Sequence, residues 1–192
     1  MQDALIEFPS GAESATPEES QPLLAAAERS LGFVPNMYKR MALSPALFGA
    51  YSGAYESFRK HATLTPAEQE VVLLAISRYH GCEYCVSAHS WIAANVSKTP
   101  ADSVRALRDG EPLPDAKLEA LSRFARVMAE SRGRPGIDEL ERLRAAGYSD
   151  RQVLDIIAAI GVKVMSNYIN HIYETPVDAA FAATEWRAAA VG

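Results

Sequence analysis

The run Gly81-Cys82-Glu83-Tyr84-Cys85-Val86-Ser87-Ala88-His89 holds both cysteines of the 192-residue chain and ends in a histidine. On a helix, an advance of about 100° per residue puts Cys82, Cys85 and His89, at i, i+3 and i+7, on one face. Two thiols and an imidazole then share one small site. A thiolate is the nucleophile, and the unpaired N–H groups and dipole of a helix N-terminus stabilise it, so Cys82 and Cys85 in a first turn are suited to ionise. Residues three apart bring their Cβ atoms to about 5–6 Å, close to the reach of a disulfide. His89, four residues beyond Cys85, is placed to take the thiol proton directly or through one water. Peroxide converts a thiolate to a sulfenic acid, and a neighbouring thiol condenses that acid to a disulfide, so one cysteine would attack and the other would resolve.

Other chemistries use the same residue types. Both cysteines could be small buried hydrophobes and His89 a hydrogen-bonded core histidine. Cys82, Cys85 and His89 are three acceptable zinc ligands, but a closed structural site wants four, and no spacing singles out His61, His80 or His171 as the fourth. Covalent haem attachment needs a histidine directly after the second cysteine, where Val86 stands, and a thioredoxin-type pair belongs in a βαβ context. His80 adjoins the pair and is a candidate to tune a thiol from beside the site when protonated. His171 reads as a packed or surface histidine.

The elements that must position this motif are helical. Ala, Leu, Glu and Arg dominate and alternating β-branched runs are missing, which predicts an all-α fold. Residues 1–17 are polar and aperiodic, an extended arm ahead of a single all-α domain over 18–192. The pattern predicts helices over 18–31, closed by Gly32 in a left-handed cap, and over 35–43. Ser44 and Pro45 then open a helix running to about Lys60. Thr65, Pro66 and Glu68 form a capping box ahead of the apolar stretch Val71 to Ile76, and Gly81 marks a break. The motif helix follows over 82–96, with further helices over 100–109, 114–131, 137–146, 150–174 and 178–189. An offset of 85 lays Cys82-x-Tyr84-Cys85 on Asn167-Tyr168-x-Asn170, an echo that a degenerate duplication would leave. Tyr38, Phe48, Tyr51, Tyr55 and Phe58 recur at helical spacing as core or subunit interface.

Composition narrows the function. Net charge is −5 and Lys and Arg are scattered, so there is no basic footprint for nucleic acid. The N-terminus lacks the pattern of a secretory signal, and no run approaches about 20 apolar residues, so neither secretion nor membrane insertion is expected. Two cysteines are too few for a disulfide framework and fit a reducing, cytoplasmic setting.

The spacing Glu70-x11-Cys82-x2-Cys85-x3-His89, on a helix pair opened by Leu64-Thr65-Pro66, resembles the alkylhydroperoxidase D-like (AhpD-like) members of the carboxymuconolactone decarboxylase superfamily. Gly32-Phe33-Val34-Pro35-Asn36-Met37-Tyr38 and Ser44-Pro45-Ala46-Leu47 resemble its peroxidase-related branch. The resemblance implies an all-α homotrimer or homohexamer that reduces hydrogen peroxide or organic hydroperoxides without metal or organic cofactor. It assigns Cys85 as peroxidatic, Cys82 as resolving, His89 as base and Glu70 as relay acid. Partial burial in an apolar flank would raise the Glu70 pKa and suit it to proton transfer. The best-known family member has a second histidine inside its Cys-x-x-Cys; here Tyr84 stands there, its hydroxyl the candidate substitute. The implied partner is a dithiol reductant, thioredoxin-like or lipoyl-bearing, because the disulfide must be reopened by exchange. The alternatives are a non-enzymatic redox-sensing or zinc-holding helical oligomer, and a lactone decarboxylase-like enzyme.

Overall fold

The computed structural model describes residues 4–9 and 16–188. The ends of the arm and of the last expected helix, at 1–3, 10–15 and 189–192, lie outside the described residues. Nine α-helices carry the fold, with no strand among the described residues: α1 Gln21–Leu31, α2 Asn36–Met41, α3 Pro45–His61, α4 Pro66–Tyr79, α5 Glu83–Asn95, α6 Ala101–Asp109, α7 Ala116–Glu130, α8 Ile137–Ala145 and α9 Asp150–Tyr173. The all-α expectation holds.

Local chemistry sets the boundaries. Gly32 closes α1 at φ 80°, a left-handed conformation that lets its N–H reach the Glu28 carbonyl. The Ser44 hydroxyl accepts from the Leu47 N–H ahead of Pro45. The Thr65/Glu68 capping box forms in both directions and starts α4. Two stretches differ from the sequence reading. Glu18–Ser20 is a 3-10 turn ahead of α1, and the expected C-terminal helix is a 3-10 turn at Ala179–Thr184 followed by extended chain. There the Arg108 guanidinium donates to the Thr184 and Glu185 carbonyls and the Trp186 indole donates to the Arg108 carbonyl. These tertiary bonds outweigh the helix preference of the alanines.

α4 is the central helix, with every residue from Glu68 to Ser77 buried, packed against α5, α6, α7 and α9. A helix apolar on nearly all faces needs neighbours on all sides. Two core clusters result. One joins α4, α7, α8 and α9 through Leu73, Phe124, Leu143 and Ile156. The other joins α2, α3, α5 and α9 through Met41, Phe48, Tyr51 and Val162, and contains Cys82 and Cys85. Within it Tyr51 and Tyr55 stack at 5.7 Å, so the aromatic series of α2 and α3 is core.

α9, 24 residues long, is apolar enough by length and composition to cross a membrane. It is instead packed against α2, α3 and α4, and turns Lys163, Ser166, Asn167 and Asn170 into the interior. The described part of the N-terminal arm lies on its C-terminal end, where the N–H groups of Leu5 and Ile6 reach the Ile172 carbonyl.

Candidate active site

The turn between α4 and α5 builds the site. α4 ends at Tyr79 and Gly81 takes φ 68°, which glycine adopts at no steric cost. The chain then reverses, with the Cys82 N–H bonded to the Ser77 carbonyl at 3.0 Å, and α5 runs back beside α4. That reversal lets His89 reach Glu70, 19 residues earlier. Cys82 is therefore the N-cap, in extended conformation just outside the helix, rather than part of its first turn. Cys85, three residues on, sits in that first turn. Both thiols are free and buried, and the two residues approach to 3.4 Å.

Glu70 is completely buried. One carboxylate oxygen pairs with the Arg59 guanidinium of α3 and the other accepts from His89 Nδ1 at 2.9 Å. Arg59 is itself held by the Tyr55 hydroxyl at 2.8 Å and by Gln69 Oε1 at 3.2 Å. Burial alone would push the Glu70 carboxyl up, but His89 and Arg59 outweigh it and hold the group below the usual glutamate value. The expectation of a raised pKa is thus corrected: burial is more complete than expected, and it comes with a cation. For His89, burial and then the nearby Lys163 ammonium lower the pKa against the pull of Glu70, so the ring is neutral. The ion pair is Glu70–Arg59, and His89 contributes a hydrogen bond. Because an ionised carboxylate only accepts, the proton sits on Nδ1, which leaves Nε2 as the ring's acceptor.

The two cysteines are driven apart electrostatically. Burial opposes ionisation of Cys85, but the Cys82 thiol, the Lys163 ammonium and His89 together bring its pKa well below the usual thiol value. Asn170 Nδ2 adds a donor 3.3 Å from its sulfur. Burial and then the Cys85 sulfur push Cys82 up. Of the two sulfurs Cys85 is therefore the more readily ionised, with Cys82 as the thiol beside it.

Tyr84 has a different place from the one expected. Its hydroxyl donates to Asp178 Oδ2 at 2.5 Å and accepts from the Met37 N–H at 3.5 Å, while Asp178 also receives the Asn36 N–H at 3.1 Å. Burial and then Asp178 raise its pKa above the usual tyrosine value, so it stays a neutral donor. Tyr84 fastens α5 to α2 and to the C-terminal segment, so the geometry gives it no share in a relay through His89. His80 Nδ1 meets Asn167 Oδ1 at 2.8 Å, at the partly buried rim. His171 lies near enough to both Cys85 and His80 for their charges to act on it, although burial is the larger effect and lowers its pKa. His61 is apart, lining a cavity of about 260 Å³ between α3 and α9. No three His, Cys, Asp or Glu side chains among the described residues converge as a metal-holding group, Cys82, Cys85 and His89 included.

Sequence reasoning missed Arg59, Lys163, Asn170 and Asp178. The 85-residue echo did carry a signal for Asn170, which it aligns with Cys85 and which contacts that sulfur. Lys163 interrupts an otherwise apolar stretch of α9 and is 1% exposed.

Residues 45–127 match the Carboxymuconolactone decarboxylase family. Within the chain this match spans α3 to most of α7. No curated protein sequence matches the chain significantly. Its fold is similar to that of an uncharacterized peroxidase-related protein from Ralstonia eutropha JMP134 described as an alkylhydroperoxidase AhpD core. That match has TM-score 0.79 and 23% identity, over 94% of this chain and 95% of that one. A peroxidase-related protein from Silicibacter sp. TM1040 superposes with TM-score 0.76 at 23% identity, over 94% and 95% of the two chains. A cysteine-to-alanine variant of the debrominase Bmp8, in complex with 2,3,4-tribromopyrrole, superposes with TM-score 0.73 at 21% identity, over 93% and 95%. These likenesses establish the AhpD-like fold.

Proposed function

We propose that this AhpD-like protein is a thiol-dependent peroxidase that reduces hydrogen peroxide or an organic hydroperoxide through Cys82 and Cys85. The observation that carries this reading is the asymmetric pair: a buried Cys85 thiolate held against a Cys82 thiol 3.4 Å away, beside a histidine oriented by Glu70. The Cys85 sulfur attacks the terminal peroxide oxygen; the O–O bond breaks, an S–O bond forms, and the departing alkoxide or hydroxide takes up a proton. Cys82 then attacks the sulfenic sulfur, losing its own proton to His89 Nε2, and the sulfenic oxygen leaves as water. The Cys85 thiolate, the Cys82 thiol, one hydroperoxide and one proton from solvent thus give a disulfide, water and an alcohol, or a second water from hydrogen peroxide.

Turnover calls for a dithiol reductant, thioredoxin-like or lipoyl-bearing, to reopen the disulfide by exchange, which fits a cytoplasmic setting. Assembly as a homotrimer or homohexamer belongs to the same reading, and the exposed Leu154, Ile157 and Tyr168 of α9 are the apolar side chains such assembly would cover. The deciding experiment mixes fully reduced protein with one equivalent of peroxide and follows thiol count and intact mass beside free cysteine. Fast loss of both thiols with a decrease of about 2 Da supports the peroxidase. Thiol loss no faster than free cysteine overturns it. Oxidation by 2,3,4-tribromopyrrole alone would move the reading to dehalogenation.

A further inference from the structure

Lys163, 1% exposed, is a buried charged group to which the peroxidase steps give no part. It lies on α9 one turn before Ser166 and Asn167 and two turns before Asn170, so these four residues form one polar stripe. That stripe faces the Cys82, Cys85 and His89 side of α5: Asn170 contacts the Cys85 sulfur at 3.3 Å and Asn167 bonds His80. Among the described residues no carboxylate lies within 4.0 Å of the Lys163 amine. The buried carboxylate of the site, Glu70, is taken by Arg59. A buried ammonium without an anion is strongly unfavourable, so the site must supply one. Of the groups that remain, Tyr51 and Tyr55 are held neutral by burial and Cys82 is held as the thiol, which leaves Cys85.

We propose that Lys163 is the counter-ion of the Cys85 thiolate, and that disulfide formation, by removing this anion, makes the Cys82–Cys85 disulfide oxidising and readily reopened. This deepens the reading of Cys85 as the reacting thiol and rests on it. The redox balance is that of the pair itself: the two cysteines lose two electrons to the oxidant as the S–S bond forms, and the Cys85 negative charge disappears with it. Lys163 is then left without its anion until a reductant restores the thiolate. Whatever stabilises the reduced pair relative to the disulfide raises the potential. A thiol peroxidase benefits, since its disulfide must be reopened in every cycle.

The test reads ionisation and redox equilibrium without peroxide, so it stays informative if the peroxidase reading fails. Thiolate ultraviolet absorbance of the reduced protein is followed against pH in wild type, Lys163→Met and Lys163→Arg, each also carrying Cys82→Ser so that only Cys85 reports. The other titratable and charged groups around the sulfur are Glu70 from α4, Arg59, Tyr51 and Tyr55 from α3, Tyr84 and His89 from α5, and His171 from α9; all are left in place. Loss of the adjacent cation is expected to raise the Cys85 midpoint by about two pH units in Lys163→Met. With both cysteines present, equilibration with a dithiol buffer should then favour the disulfide about 100-fold more, about 60 mV lower in potential for a two-electron couple. Lys163→Arg should restore both quantities toward wild type. An unchanged midpoint and potential in Lys163→Met overturn the proposal. Should Lys163→Met fail to fold, the NMR chemical shifts of the wild-type Lys163 side-chain tip decide instead: a change at Lys163 between Cys82→Ser and Cys82→Ser/Cys85→Ser supports it, and identical shifts in the two refute it.

Discussion

Glu70→Gln separates the two functions of one carboxylate. Glu70 is completely buried and serves Arg59 and His89 at once. Breaking a buried ion pair by removing one partner typically costs about 3–5 kcal/mol, because the other charge is left behind. Here the Arg59 side chain is 22% exposed and keeps Tyr55 and Gln69, so a loss of about 2–3 kcal/mol is expected, read as a lower urea midpoint of the reduced protein. The glutamine oxygen will stay with the guanidinium, turning its NH2 toward the ring. His89 Nδ1 must then accept, so the ring proton moves to Nε2 and the proposed acceptor for the Cys82 proton is lost. General-base contributions are about 10²–10⁴-fold, so disulfide formation from the sulfenic acid should slow by at least about 100-fold. The pH dependence has a definite sign. Because the folded-state pKa of Glu70 is depressed, its contribution is present above the unfolded glutamate value, about 4.3, and is lost as pH falls through the depressed folded value. The stability gap between wild type and Glu70→Gln should therefore shrink below about pH 4.3. Wild-type kinetics in Glu70→Gln, with an unchanged urea midpoint, would refute the orienting role.

Tyr84→Phe removes the hydroxyl that holds Asp178, and a hydrogen bond to a charged group is worth about 1.5–3 kcal/mol, so stability should fall by about that much. Peroxide-driven thiol loss should stay within about twofold of wild type under native conditions, and a tenfold drop would return Tyr84 to the relay. Thr65→Ala deletes the hydroxyl that accepts the Glu68 N–H at the start of α4, and should cost about 1 kcal/mol in urea melts with Cys85 ionisation unmoved.

Most of the helices were legible because their ends are local. Ser44-Pro45, Thr65-Pro66-Ala67-Glu68 and Gly32 each satisfy a helix terminus with atoms a few residues away, and each does so in the structure. The C-terminal segment was misread because its conformation is set from a distance, by Arg108, Ser87 and Tyr84. The site divides in the same way. The proximity of Cys82 to Cys85 is local, and it survives even though Cys82 caps the helix instead of joining it. The pairing of Glu70 with His89 depends on the Gly81 reversal, and family spacing carried that assignment where a glutamate in a first turn would read as solvated charge. Lys163 was not legible, since an isolated lysine in an apolar helix says nothing about which neighbour it meets. Only the packing of α9 against α5 makes it part of the site.

For the proposed dithiol reductant, the same asymmetry favours one sulfur as the point of attack. Cys82 and Cys85 are 1% and 2% exposed, so exchange requires a local opening. Cys82 follows Gly81 and the partly buried His80 in the turn, whereas Cys85 is inside the first turn of α5, under Asn170 and Lys163. Opening the turn therefore uncovers Cys82 first. Thiol exchange is faster when the departing sulfur has the lower pKa, and Cys85 is that sulfur. In the proposed peroxidase cycle, attack on Cys82 would release Cys85 directly as the thiolate, whereas attack on Cys85 would have to expel the poorer leaving group. A thioredoxin-type reductant lacking its own resolving cysteine should accordingly be trapped on the oxidised protein as a mixed disulfide at Cys82, mapped by peptide mass spectrometry. Predominant trapping at Cys85 would mean that access, rather than leaving-group stability, governs the exchange, and that the Gly81 turn is not where the site opens.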